Sequence, residues 1–209
     1  MYQSDCLSIR EACRKDDNAI IGAGLLVLLS IRQPFYSVPE AMRDVQNVGQ
    51  GSRFLWGSKR DGYKALVRNV SVIRQYVLDY DQSGDFETLV IRLMQVPNMS
   101  FAKASFFAQM LTGEGACLDS HNLARLGLGD GNRGAIKKTL TEETMRRHYR
   151  LYDATWRAHG DSAYWWDTWC EYVADSYPDQ YENAADVSSV HLIAIHFQPN
   201  PSDLMELAA

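Results

Sequence analysis

No two of the four cysteines, Cys6, Cys13, Cys117 and Cys170, form a C-x-x-C pair, and no four lie together. Zinc and iron–sulfur centres need such spacings, so neither is expected. Buried, reduced thiols are the simplest state for these side chains. Nor does any apolar run approach the roughly 20 residues of a membrane-crossing helix. The greasiest stretch, 19–31, is too short and lacks the flanks of a secretion signal. A soluble, cytoplasmic monomer without membrane contact is the expectation. Period-two alternation, internal repeats and low-complexity tracts are missing as well, which argues against a sheet protein, a solenoid and a disordered chain. Basic residues are absent from one whole region: Asp161 to Ala209 holds nine Asp or Glu and no Lys or Arg.

That last absence changes the meaning of the net charge of -5. Residues 1–160 carry all 21 basic groups against 17 acidic ones, so the chain is electrically polarised. Arg53, Lys59, Arg60, Lys64, Arg68 and Arg74 form one cluster. Arg133, Lys137, Lys138, Arg146, Arg147 and Arg150 form another. Two basic clusters on either side of a central segment suit a phosphate backbone; solvated helix faces are the plainer alternative.

What is present is helical patterning, with 46% hydrophobic residues to fill a core. Ile9 to Lys15 and Asn18 to Ile31 read as helices, the second apolar on nearly every face. Prolines 34 and 39 bound a loop containing Gln33, Phe35 and Tyr36, and Glu40 to Asn47 resumes a short helix. Gly49 to Gly62 is a Gly-rich candidate loop. Tyr63 to Tyr80 reads as one amphipathic helix on Leu66, Val70, Ile73 and Val77. Phe86 to Gln95 follows, capped by Ser83 or Asp85 and stopped by Pro97. A new helix runs from Ser100 to Leu111 and stops at Thr112-Gly113. Ser120 to Leu126, Thr141 to Ala158, Ser162 to Tyr177 and Val187 to Phe197 complete the set.

The segment Val96-Pro97-Asn98-Met99-Ser100, set between two helices and followed by a small-residue helix and then Cys117-Leu118-Asp119-Ser120-His121-Asn122, resembles the helix-hairpin-helix DNA glycosylase superfamily over roughly residues 63–127. There the hairpin is usually L-P-G-h-G, and its backbone N–H groups hold a DNA phosphate at a helix N-terminus. Asn98 and Ser100 stand in place of glycines; Asn tolerates the left-handed region and Ser can start a helix. The fifteen residues from Ala104 to Asp119 are close to the superfamily's distance between hairpin helix and catalytic Asp, and a small residue followed by His after that Asp is also usual. The resemblance implies an all-α, two-lobed glycosylase-like fold formed by residues 1–209 as one unit. One lobe covers about 45–130 with the hairpin at 93–111, and the other packs 1–44 with 131–209.

The resemblance also implies roles. Asp119 becomes the catalytic carboxylate, able to stabilise cationic charge or act as a base; its plainer reading is a helix cap. Pro97, Asn98, Met99, Ser100 and Lys103 become DNA-binding residues, with Arg133 and Lys137 from the second cluster. Gln33, Tyr36, His121 and Asn122 are substrate-binding candidates, Gln33 because its amide offers a donor and an acceptor to a pyrimidine edge. Trp165, Trp166 and Trp169 are expected in the core rather than around a flipped base. Bifunctional members carry a nucleophilic Lys where this chain has Ala102. Lys103 is next door but about a hundred degrees around the helix, so an imine-forming lyase is not expected.

Together with Gln-Pro-Phe-Tyr-Ser-Val-Pro-Glu-Ala-Met-Arg near the front, these segments are most similar to the bacteriophage alpha-glutamyl/putrescinyl thymine pyrophosphorylase branch, the amino acid:DNA transferases. That similarity implies thymine hypermodification by base flipping. A pyrophosphorylated hydroxymethyluracil in double-stranded DNA would exchange pyrophosphate for the amine of a free amino acid, such as glycine or glutamate. No cofactor is required, and a divalent cation accompanying the pyrophosphate is the one addition the chemistry leaves open. A monofunctional DNA N-glycosylase is the alternative reaction, because base loss also builds positive charge at the site. A non-catalytic DNA-binding module is the alternative of another class, to be favoured if Asp119 is buried with its oxygens occupied by backbone donors.

Overall fold

The computed structural model describes residues 1–125, 127 and 141–207, with the side chains of Ser120, His121, Glu206 and Leu207 outside that description. The described residues are predominantly helical and include no strand. Twelve α-helices are described: α1 (Asp5–Lys15), α2 (Asp17–Leu29), α3 (Val38–Val48), α4 (Ser58–Arg68), α5 (Val70–Ser83), α6 (Phe86–Leu93), α7 (Phe101–Thr112), α8 (Ser120–Arg125), α9 (Glu142–His159), α10 (Ser162–Ser176), α11 (Ala184–Val190) and α12 (Pro201–Leu207). Short 3-10 turns occupy Phe35–Ser37, Gly49–Gly51 and His191–His196.

The architecture is organised by α2, in which every residue from Ala19 to Leu29 is buried. A helix apolar on all sides must be wrapped on all sides. Accordingly α2 packs against α1, α3, α4, α5, α7 and the 191–196 turn. The closest approach is made possible by Gly22, where a Cβ would lie 2.2 Å from the Ala194 carbonyl oxygen. One apolar cluster, running from Tyr2 through α2 and α7 to Phe197, joins the N-terminal, central and C-terminal segments.

Local signals placed most ends. Asp85 accepts from the Thr88 N–H at 3.0 Å and starts α6, Gly113 closes α7 in the left-handed conformation with φ 81, and Asp161 caps α10 through the Tyr164 N–H. Three expectations are corrected. The Gly-rich stretch 49–62, expected as a loop, is helical from Ser58, where α4 begins. The periodic stretch 63–80 is two helices rather than one. Asn69 takes φ -112 and ψ 17 between them, and both its backbone N–H and its side-chain amide donate to the Ala65 carbonyl. Apolar periodicity cannot reveal such a break, because Leu66, Ile73 and Val77 stay buried on either side of it. The expected helix 187–197 is α11 followed by a 3-10 turn, started earlier by an Asn183/Asp186 capping box. The last helix, α12, was not read from the sequence; the buried Asp203 ties it down by accepting from the Tyr63 hydroxyl at 2.8 Å and the Gln50 N–H at 3.2 Å.

Candidate active site

The hairpin forms as a tight turn. Val96, Pro97, Asn98 and Met99 are closed by the Met99 N–H donating to the Val96 carbonyl at 3.2 Å. Asn98 has φ 70, the left-handed value that a type II turn, which accepts proline at its second position, demands of its third residue. Met99 is buried at 1% exposure and anchors the turn, while Pro97, Asn98 and Ser100 are half-buried. The turn is backed by α4, since a Cβ on Gly62 would come within 2.7 Å of the Pro97 carbonyl oxygen. Ser100 sits at the N-cap of α7 with extended backbone and makes no side-chain cap bond. The first-turn amides of this 12-residue helix therefore have no side-chain acceptor from their own cap, which is the arrangement an anion fits.

From that turn α7 runs inward with Phe101, Ala102 and Ala104 buried. The side chain of Lys103 takes another direction. Its Nζ donates to Ser30 Oγ at 3.3 Å, and that hydroxyl itself donates to the Val27 carbonyl at 2.8 Å, so its lone pairs face the ammonium. Lys103 thereby enters the wall of a cavity of about 110 Å³ that also contains Gln33, Phe35, Asp119, Trp169, Tyr172 and Tyr177. Lys103 lies about a hundred degrees around α7 from Ala102, and the cavity lies on the side of α7 that Lys103 faces, next to the end of α2.

Asp119 arrives from a short irregular segment braced by Tyr152. The Tyr152 hydroxyl accepts from the Leu118 N–H at 3.0 Å and donates to the Ala116 carbonyl at 2.9 Å. Asp119 starts α8, with its Oδ1 accepting from the Asn122 N–H at 3.1 Å and its carbonyl accepting from the Leu123 N–H at 3.0 Å. The carboxylate is half-buried and lines the cavity. Capping and presentation to the cavity thus hold together in one residue.

Of the substrate-binding candidates, Gln33 lines the cavity, and its Oε1 is shielded from water without a hydrogen-bond donor. Tyr36 is outside the wall at 43% exposure, but its ring packs edge-on against Tyr177, 5.2 Å between centroids. Asn122 is fully buried, and its amide donates to the Cys117 carbonyl at 2.6 Å. It braces the turn that carries Asp119 and is not in the cavity wall. The side chain of His121 and the whole of Arg133 and Lys137 lie outside the described residues. Trp165 and Trp166 are core residues at 2% exposure with their indole N–H groups bonded to the Trp156 carbonyl and Ser188 Oγ, whereas Trp169 lines the cavity.

Five described residues of the basic clusters have partners within the protein. Arg53 pairs with Glu40, Arg74 with Asp17, and both Arg146 and Arg150 with Glu87. Lys59 is wholly buried, donating to the Leu29 carbonyl at 3.2 Å beneath the Trp56 ring. Burial, followed by the charge of Lys103, pulls its amine down to about 8. Lys59 and Lys103 are therefore held by consecutive residues, Leu29 and Ser30, at the end of α2.

Trp169 was expected in the core, and Tyr172, Val173, Ser176 and Tyr177 were not read as cavity residues from the sequence. Trp169, Tyr172, Val173 and Ser176 share one face of α10, and their three-and-four spacing was the signal available. Behind that face lies His191, boxed by Phe35, Phe106, Trp166 and Trp169 at centroid distances of 4.9, 5.7, 4.5 and 5.5 Å. Its Nδ1 faces the Val187 and Ser188 carbonyls at 3.1 Å, and burial holds the ring neutral, with its pKa at about 4. Among the described residues no group of three His, Cys, Asp or Glu side chains converges as a metal site, and no helix is long and apolar enough to cross a membrane. No protein-family model matches this chain, and no curated protein or solved structure matches it either.

Proposed function

We propose that this protein is a DNA base-modifying enzyme of helix-hairpin-helix glycosylase-like, two-lobed design that receives a modified thymine or uracil, swung out of duplex DNA, in the cavity beside Asp119. The observation that carries this reading is the convergence of Gln33, Lys103 and Asp119, from three distant parts of the sequence, in one aromatic-walled cavity on the helix that begins at the hairpin. Flat walls from Phe35, Trp169 and Tyr172 suit a planar ring, and the polar groups suit its edge. A volume near 110 Å³ is below the roughly 300 Å³ where pockets for drug-sized ligands begin, so a single ring fits and a whole nucleotide does not.

In the favoured reaction, the amine of a free amino acid attacks the exocyclic methylene of pyrophosphorylated hydroxymethyluracil. The new C–N bond forms as the C–O bond to pyrophosphate breaks. Asp119 takes the amine proton and stabilises positive charge on the methylene, while Lys103 offers a cation to the departing oxygen. The half-burial of Asp119 and its place in the cavity wall favour this over a non-catalytic DNA-binding module. Mass spectrometry of nucleosides from duplexes bearing the pyrophosphorylated base, incubated with each amino acid in turn, tests it. A new nucleoside bearing the amino acid through its nitrogen is expected; unchanged nucleosides with every amino acid refute it.

Lys103 favours a second reading, excision of the base. In that reading the neutral amine of Lys103 attacks C1′ of the deoxyribose as the C1′–N bond to the base breaks; the nitrogen then loses a proton, the C1′–O4′ bond opens with O4′ taking a proton, and an imine remains. Borohydride then reduces that imine to a covalent protein–DNA adduct, which the Lys103→Met variant would not form. A free base with an abasic site and no adduct identifies water as the nucleophile instead.

A further inference from the structure

Among the described residues only two other than glycine have φ in the left-handed region, Asn98 and Arg32, the latter at φ 54. Asn98 is explained by its turn. Arg32 is not explained by local chemistry, because a left-handed residue brings its Cβ against the following carbonyl, and Gly or Asn is the usual choice. The position is the exit of α2. Ser30 donates its N–H to the Leu26 carbonyl and Ile31 donates to Leu28, after which the chain must leave the helix axis, and helices ordinarily place glycine at such exits. Arg32 is also exposed, and it makes no hydrogen bond, ion pair or ring contact with any described residue. Nothing within the described fold repays the strain.

Its neighbours are the walls of the cavity: Ser30 two residues before it and Gln33 immediately after it. With Cα atoms 3.8 Å apart along the chain, the Arg32 side chain starts one residue from the wall. The cavity is too small to take a sugar and phosphate with the base, so the backbone of an inserted nucleotide has to remain at the rim.

We propose that Arg32 is a phosphate clamp at that rim, its guanidinium holding a backbone phosphate next to the nucleotide whose base enters the cavity. The planar fork of arginine matches two phosphate oxygens at once, and an unpaired guanidinium at the surface is available for it. Left-handed strain at a non-glycine residue persists where a function needs the side chain it carries. The inference rests on the reading of the cavity as a base pocket.

The test uses the full chain and a duplex carrying one mispaired 5-hydroxymethyluracil, whose flipping is cheap, beside the matching fully paired unmodified duplex. Affinity is measured by fluorescence anisotropy from 50 to 200 mM salt, together with the Tm of Arg32→Gly, Arg32→Asn and Arg32→Lys. Glycine and asparagine should keep the wild-type Tm or raise it, by about 2–4 °C for glycine. Both should weaken binding about tenfold or more, and the slope of log affinity against log salt should shrink by about one, the loss of a single phosphate contact. Lysine should keep the slope. Unchanged affinity and slope in Arg32→Gly, with a wild type that binds, overturns the Arg32 assignment alone. Weaker binding that only follows a fallen Tm in both neutral variants overturns it too, as a structural effect. A wild type that binds neither duplex overturns the base-pocket reading and the clamp with it.

Discussion

Replacing Asp119 by Asn separates the two jobs that the geometry assigns to one side chain. The cap bond is accepted by Oδ1 from the Asn122 N–H at 3.1 Å, and an asparagine Oδ1 can accept the same bond, since Asn caps about as well as Asp. Tm and DNA affinity should stay near wild type. What disappears is the negative charge in the cavity, and with it both the proton acceptor and the stabilisation of developing positive charge. General-base and electrostatic terms of this kind are each worth about two to four orders of magnitude, so turnover should fall by about 10²–10⁴. Asp119→Ala should show the same loss of turnover and, in addition, a loss of about 0.5–2 kcal/mol of stability for the missing cap, a Tm drop of several degrees for a chain of this size. The assay is formation of the modified nucleoside under single-turnover conditions, with thermal denaturation in parallel. An Asn variant that modifies the correct DNA at the wild-type rate removes Asp119 from the mechanism and leaves it as a cap.

His191 makes stability pH-dependent. Its folded pKa, about 4, is below the unfolded value near 6.5, so the stabilisation is complete above pH 6.5 and is lost as pH falls toward 4, about 3 kcal/mol in all. His191→Phe should flatten Tm across that window; an unchanged profile would mean that other groups control acid unfolding. The same sign applies to Lys59, with a pKa lowered to about 8. Stability should rise as pH climbs from 8 toward 10.5, and Lys59→Met should abolish the rise and lift Tm at pH 7, whereas a lower Tm there would show that the amine's bond to Leu29 outweighs its desolvation. Gly62→Ala forces a methyl to within 2.7 Å of the Pro97 carbonyl oxygen and 2.9 Å of Leu28. It should cost about 1–3 kcal/mol in chemical denaturation, and a wild-type midpoint would show that the hairpin yields freely.

Much of the fold was written locally. Proline, asparagine and the cap residues act through their own backbone, so the turn at Pro97–Asn98, the start of α6 at Asp85 and the stop at Gly113 could be read without knowing what packs on them. The all-apolar run of α2 likewise announced a central helix. Asp119 stood out through its distance from the hairpin, and the structure places it in a cavity wall. Whether a cation faces solvent, a carboxylate or the core is decided by partners far along the chain. That is why Arg146 and Arg150 went to Glu87, Lys59 disappeared beneath Trp56, and Lys103 turned into the cavity. The break at Asn69 was hidden for a related reason, since the apolar face continues across it. The sequence alone determined a helical chain with a tight hairpin and a prominent aspartate. Only tertiary packing decided which side chains meet Asp119, because segments near residues 30, 103, 119 and 170 are brought together by the burial of α2, α7 and α10 and by no local preference of their own.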